Sequence, residues 1–205
     1  MYRDDQHQPT SLSEDYLRTH TVGELTPLST PICLVDYDSE WPHRFHIEAE
    51  KIRASIGARA LRIEHVGSTS VLALLAKPII DVVLVVADSA NETEYATALE
   101  LAGYRLRIRE HGWYEHRLFK GPDDGVNLHV FSAGCPEIDK MLAFRDWLRA
   151  NADDRGLYAR SKKDLAQQEW KYTQNYADAK TAIIEDIMSR ARMAAIPDLS
   201  PLPNS

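Results

Sequence analysis

The run Glu64-His65-Val66-Gly67-Ser68-Thr69-Ser70 sets a carboxylate, an imidazole and three hydroxyls around one glycine. Glycine lets a backbone approach a ligand closely. The hydroxyls of Ser68, Thr69 and Ser70, with neighbouring backbone N–H groups, have the chemistry to cradle a phosphate. The same run also describes an ordinary strand-to-helix turn with capping hydroxyls. A second group is Lys77-Pro78-Ile79-Ile80-Asp81-Val82-Val83. Here Asp81 interrupts an apolar stretch. A buried ionised carboxylate is costly unless paired or metal-bound. Its partner is therefore a magnesium ion, a basic side chain such as Lys77, Arg62 or Arg117, or a histidine. Lys77 serves either as that charge partner or as a phosphate contact.

His129 shares one face of an expected strand with Asn127 and Phe131. It reaches the Asp81 site if the two strands are neighbours, and is otherwise a hydrogen-bonded structural histidine. The planar fork of Arg117 suits phosphate, or a salt bridge to Asp81 or Glu64. His111 and His116 lie nearby without metal-ligand spacing. Farther along, the pairs Arg145/Arg149, Tyr158/Lys162 and Tyr176/Lys180 are each four apart, so each pair shares a helix face. Such stripes either close a site over a sheet or form solvated faces with aromatic anchors.

The elements that must position these residues follow from periodicity. Phe45, Ile47, Ala49, Ile52 and Ile56 recur at helical spacing from about Trp41, with Pro42 in the first turn and Gly57 to close. Asp38 or Ser39 is the expected cap. Leu61 to Val66 reads as a strand. Ile79 to Val86 is β-branched and apolar on both faces, the pattern of a central strand. A helix is expected over Asp88–Leu101, ended by Gly103. Arg105 to Arg109 alternates with its arginines on one face. Trp113–Lys120 and Val126–Phe131 read as strands joined by the Gly121–Gly125 hairpin loop. From Glu137 to Ala194 the pattern is helical. The fold class expected is α+β: a mixed sheet of four or five strands with flanking helices and a helical C-terminal part. Residues 1–30 read as a flexible arm, 31–195 as the folded domain and 196–205 as a frayed tail.

The bulk properties bound the function. With 205 residues, 44 % hydrophobic and 27 % charged, the chain has the composition of a globular domain. A net charge of −7 argues against broad nucleic-acid binding, while leaving room for a local basic site that holds a small anion. Cys33 and Cys135 form no CxxC motif and no zinc-ligand spacing. No apolar run approaches membrane-spanning length. The polar, acidic N-terminus lacks the pattern of a signal peptide, so a cytoplasmic location is the default expectation.

Taken in order, Tyr37-Asp38-Ser39-Glu40-Trp41-Pro42, Ile63–Val71, Ala76–Asp81, Gly103-Tyr104, Arg117-Leu118-Phe119, Asn127–Val130 and Phe144–Arg149 resemble the GrpB family across Val35–Ala194. That resemblance implies a nucleotidyltransferase-like mixed sheet. It implies that Gly67-Ser68 is the phosphate-side signature and that Asp81 is the first metal carboxylate. Enzymes of that fold move a nucleotidyl group from a nucleoside triphosphate to a hydroxyl or similar acceptor, with divalent ions bridging the phosphates. The second acid usual two residues later is Val83 here, which leaves Glu64 and His129 to complete a magnesium or manganese site. The usual Pro-Gly of the following loop is Leu72-Ala73.

The leading functional expectation is metal-dependent nucleotidyl or phosphoryl transfer to a small molecule. Asp81, Glu64 and His129 would be the catalytic and metal-binding set. Gly67, Ser68, Thr69, Ser70, Lys77, Arg117 and Lys180 would hold phosphate. The alternatives are a non-catalytic module that binds a nucleotide or coenzyme-like ligand, and a ligase- or cyclase-like enzyme that reuses the pocket through Glu64 and His129. In each case the partner is a small anionic ligand rather than extended nucleic acid or a membrane.

Overall fold

A computed structural model describes residues 13–195. The expectations for residues 1–12 and for the tail 196–205 lie outside the described residues. The remainder of the expected arm is packed. Ser13 caps helix α1 (Glu14–His20) by accepting from the Tyr16 N–H, and Leu17 of this helix is buried beside Tyr172. Residues Thr21 and Val22 then run along a later strand through Ile108 and Arg107.

Helix α2 (Trp41–Ile56) begins and ends where its pattern places it, with Pro42 in the first turn and Gly57 at the C-cap. Asp38 accepts from the Glu40 N–H and shapes the turn before the helix rather than capping it. Strands β1 (Arg62–Val66), β2 (Ile80–Val86), β3 (Arg105–Glu110), β4 (His116–Lys120) and β5 (Val126–Ser132) form one sheet in the order β1-β2-β5-β4-β3. Only β2 and β5 run parallel. The expected helix over 88–101 shortens to a 3-10 turn, Glu92–Glu94, and α3 (Ala96–Leu101). The strand expected from Trp113 starts at His116, because Tyr114 and Glu115 adopt positive φ in the preceding turn. The C-terminal part comprises α4 (Pro136–Ala150), α5 (Ala152–Ala166), α6 (Thr173–Asp178) and α7 (Thr181–Ala195).

Alternation along β2 splits the core into two layers. Val82, Leu84, Leu128, Val130 and Phe119 pack toward α2 and α3. Val83, Val85 and Phe131 pack on the opposite face against Ile138 and Leu142 of α4. Asp81, Asn127 and His129 belong to this second face by parity. A third cluster joins Val71 and Leu74 to Leu148, Tyr158 and Ile187, and so fixes the C-terminal helices over the loop after β1. Among the described residues no helix is long and apolar enough to cross a membrane.

Candidate functional site

Asp81 lies between Val66 of β1 and Asn127 of β5 in the sheet register. The parallel pairing of β2 with β5 therefore brings its carboxylate and His129 to one face, as the neighbouring of these strands requires. Asn127 Nδ2 donates to Asp81 Oδ1 at 2.6 Å, and Lys120 Nζ donates to Asn127 Oδ1 at 2.6 Å. His129 Nε2 stands 3.9 Å from Asp81 Oδ1. Burial pushes the Asp81 carboxyl up, but His129, Asn127 and Lys180 outweigh it and hold the group below the ordinary carboxylate range.

Gly67 ends β1 directly beside this carboxylate. A Cβ on Gly67 would meet Asp81 Oδ2 at 2.3 Å, and its φ of +67° with ψ of −173° is open essentially to glycine alone. The loop can approach Asp81 only because the side chain is missing. Ser68 then points its hydroxyl to Lys162 of α5, whose Nζ donates to Ser68 Oγ at 2.8 Å and also to the Leu75 carbonyl.

Besides Lys120, three more lysines feel the charge of Asp81: Lys77, Lys162 and Lys180. Burial, and then repulsion from Lys180, push Lys162 down to about 7 and Lys77 down to about 8. Burial lowers Lys180 as well. Lys77 and Lys180 lie over the Tyr176 ring, 5.7 and 4.9 Å from its centroid. The Tyr176 hydroxyl is buried without a hydrogen-bond partner. Among the described residues none of these three lysines forms an ion pair. The site therefore concentrates positive charge and an idle buried donor around a single acid. That arrangement suits a multiply charged anion.

The other expected site residues are employed elsewhere. Glu64 shares the Asp81 face but sits opposite Val83, and it is bound by Arg145 and Arg62, each at 2.9 Å. Thr69 Oγ1 faces His65 Nε2 at 3.0 Å and the Ile79 carbonyl at 3.3 Å, and Ser70 donates to the Gly67 carbonyl at 2.6 Å. These two hydroxyls shape the loop. Arg117 corrects its expectation most clearly. It is 1 % exposed and opposite Val130 on the other face of the sheet, where it binds Glu92 and Glu115 rather than Asp81 or Glu64. Lys162 and Tyr176, read from the sequence only as stripe residues, are central, and Lys120 joins them through Asn127.

The donor set does not form a cage for a divalent ion. It offers one carboxylate and an imidazole: Val83 stands in the place of a second acid, Glu64 is held by Arg62 and Arg145, and Lys77, Lys162 and Lys180 bring positive charge. Among the described residues no group of three or more His, Cys, Asp or Glu side chains is placed to hold a metal.

Known proteins give the same frame. A chain described as a UPF0157 protein of Halalkalibacterium halodurans is 57 % identical over 187 residues, covering 91 % of this chain and 96 % of that one. A UPF0157 protein of Streptomyces coelicolor is 44 % identical over 168 residues, covering 82 % and 88 %. The crystal structure of a conserved GrpB protein from Enterococcus faecalis superposes with a TM-score of 0.70 at 32 % identity, covering 79 % of this chain and 98 % of the other. The family model described as GrpB protein matches residues 31–190. The chain belongs to the GrpB family.

Proposed function

We propose that the site formed by Gly67-Ser68, Asp81 and the lysines of the C-terminal helices binds the phosphates of a nucleotide or a related small anionic ligand, and that its activity is nucleotidyl or phosphoryl transfer to a small acceptor. The observation that carries this reading is the set of Lys77, Lys162 and Lys180 around the unpartnered Tyr176 hydroxyl. Lys180 repels both Lys77 and Lys162, so a multiply charged anion relieves a cost already present in the fold. Ser68 and Tyr176 supply hydroxyl hydrogen bonds that orient the anion, and the lysines neutralise charge that develops on it during transfer. Asp81 then stands at the junction of phosphate and acceptor, where its carboxylate accepts from an incoming hydroxyl.

A divalent ion enters this reading only with the ligand. Magnesium commonly binds one or two carboxylates plus substrate phosphates, and Asp81 is the one acid available for that role. The nucleotidyltransferase-like arrangement implied by the family resemblance supports the same assignment.

Val83 and the arginine-bound Glu64 favour a second reading, a binding module without turnover. Phosphorus NMR of the protein with nucleoside triphosphates and magnesium or manganese separates the two. New phosphorus signals that Asp81→Asn abolishes support transfer. Line-broadening without product supports the module. Unperturbed spectra for every nucleotide tested overturn both.

A further inference from the structure

The N-terminal segment ties one edge of the sheet to the helix that carries Tyr176. Its first hold is on the edge strand β3. The Val22 N–H donates to the Arg107 carbonyl at 2.8 Å. In return Arg107 Nη1 donates to the Val22 carbonyl at 3.0 Å, and Nη2 to the Glu24 carbonyl at 2.9 Å. Both carbonyls meet one guanidinium because Gly23 between them adopts a φ of +82°, where a Cβ would stand 3.3 Å from Nη1. Tyr16 adds a bond to Glu110 Oε1 at 2.8 Å.

The second hold is on the entry to α6. Leu17, 4 % exposed, packs against Tyr172, 2 % exposed, and the partly buried members of that cluster, Tyr16 and Leu25, also come from the N-terminal segment. The Leu28 N–H donates to the Lys171 carbonyl at 2.9 Å, and Glu14 pairs with Lys171. An exposed ion pair adds little, so the buried Leu17–Tyr172 contact is the stronger tie.

Helix α6 needs such a tie. It has six residues, and Tyr172 at its N-cap makes no capping side-chain bond. So short a helix does not hold by itself in water. The apolar cluster that fixes α4, α5 and α7 over the loop after β1 contains, among the described residues, none from α6. Tyr172 and Tyr176 lie one turn apart on one face, so a hold on Tyr172 fixes where the Tyr176 ring and hydroxyl sit.

We infer that Leu17 and Arg107 are positioning residues for the anion site: through the N-terminal segment they hold α6 so that the Tyr176 ring stays beneath Lys77 and Lys180. The link to anion binding rests on the function proposed above; the hold on α6 does not. The tie is made by residues that precede the family match, which begins at residue 31.

Backbone hydrogen exchange of the ligand-free full chain, joined to pyrophosphate titration, tests this. The amides to follow are those of Asn175, Ala179 and Lys180, which donate to the Tyr172, Asn175 and Ala177 carbonyls. In Leu17→Ala, verified as folded by circular dichroism, they are expected to exchange about tenfold faster or more, while the β2 amides keep their wild-type rates. Leu17→Met is expected to restore the protection. Arg107→Ala is expected to speed the same amides, although Arg107 bonds to the N-terminal segment rather than to α6; it carries the test should Leu17→Ala not fold. A variant that keeps α6 docked in roughly one molecule in ten binds pyrophosphate about tenfold more weakly, and Leu17→Met is expected to regain the affinity. Unchanged α6 exchange in the folded variants overturns the inference. So does an equal acceleration throughout β2, the sign of a fold weakened as a whole. Faster α6 exchange with unchanged pyrophosphate affinity overturns the link to the site. A wild-type chain that binds no pyrophosphate defeats the function proposed above, and the exchange rates still decide the hold on α6.

Discussion

The α-carbon of Gly67 rests against the carboxylate of Asp81, so closely that a methyl group on Gly67 would stand 2.3 Å from Oδ2. Gly67→Ala therefore meets both a clash and a backbone conformation that other residues avoid. The strain alone costs about 1–3 kcal/mol. In a chain of this size that lowers the thermal midpoint by roughly 2–4 °C per kcal/mol. Calorimetry checks the shift. An unchanged midpoint contradicts the close approach.

The lysines make the ligand-free protein respond to pH in a defined direction. Lys162 and Lys77 are lowered in the fold to about 7 and about 8 from an ordinary value of 10.5. Above about 7 the unfolded chain holds the Lys162 proton that the folded chain has released. The unfolded state binds more protons there, so this contribution to stability rises with pH, by up to about 1.4 kcal/mol per pH unit for one proton. Urea unfolding of wild type and Lys162→Met across this window is expected to give a shallower slope for the variant. Anion binding runs the opposite way and tightens as pH falls through about 7, where Lys162 becomes charged. Sulfate is the useful probe because it does not titrate in this range.

Tyr176→Phe removes a buried hydroxyl without a partner and keeps the ring beneath Lys77 and Lys180. A buried unsatisfied group costs about 1–3 kcal/mol. The ligand-free variant is thus expected to be as stable as wild type or more so. Its stabilisation by added pyrophosphate is expected to be smaller. Thermal shifts with and without pyrophosphate test both halves.

Glu64 provides a control. Its carboxylate is committed to Arg145 and Arg62, so Glu64→Gln should lower stability while leaving pyrophosphate affinity within about a factor of two, since ΔΔG well below 1 kcal/mol is expected for a residue outside the site. A tenfold loss of affinity with an intact fold would restore Glu64 to the site.

The sequence exposed what is local and hid what is distant. The apolar, β-branched run around Asp81 predicted β2, and the Gly67-Ser68 turn stood out beside it. The five strands follow from alternation and turn residues, except where the bulge in β3 interrupts the regular placing of Arg105, Arg107 and Arg109. Pairing is a different matter. Arg117 looked available for phosphate because its strand position does not reveal Glu92, which lies 25 residues away in sequence at 2.6 Å. The Lys162–Ser68 contact spans 94 residues, and the Tyr158/Lys162 stripe has the same spacing as stripes that face solvent. The buried pair of Glu110 with His116, 2.7 Å apart, carried no signal because the register shift in β3 that aligns the two is invisible to periodicity.

The most direct test is isothermal titration of pyrophosphate into the wild-type chain and Lys162→Met at neutral pH and low salt. Saturable binding by wild type, weakened tenfold or more in the folded variant, is the predicted result. Absence of binding to folded wild type, or equal affinity in the two proteins, contradicts an anion site built on Lys162.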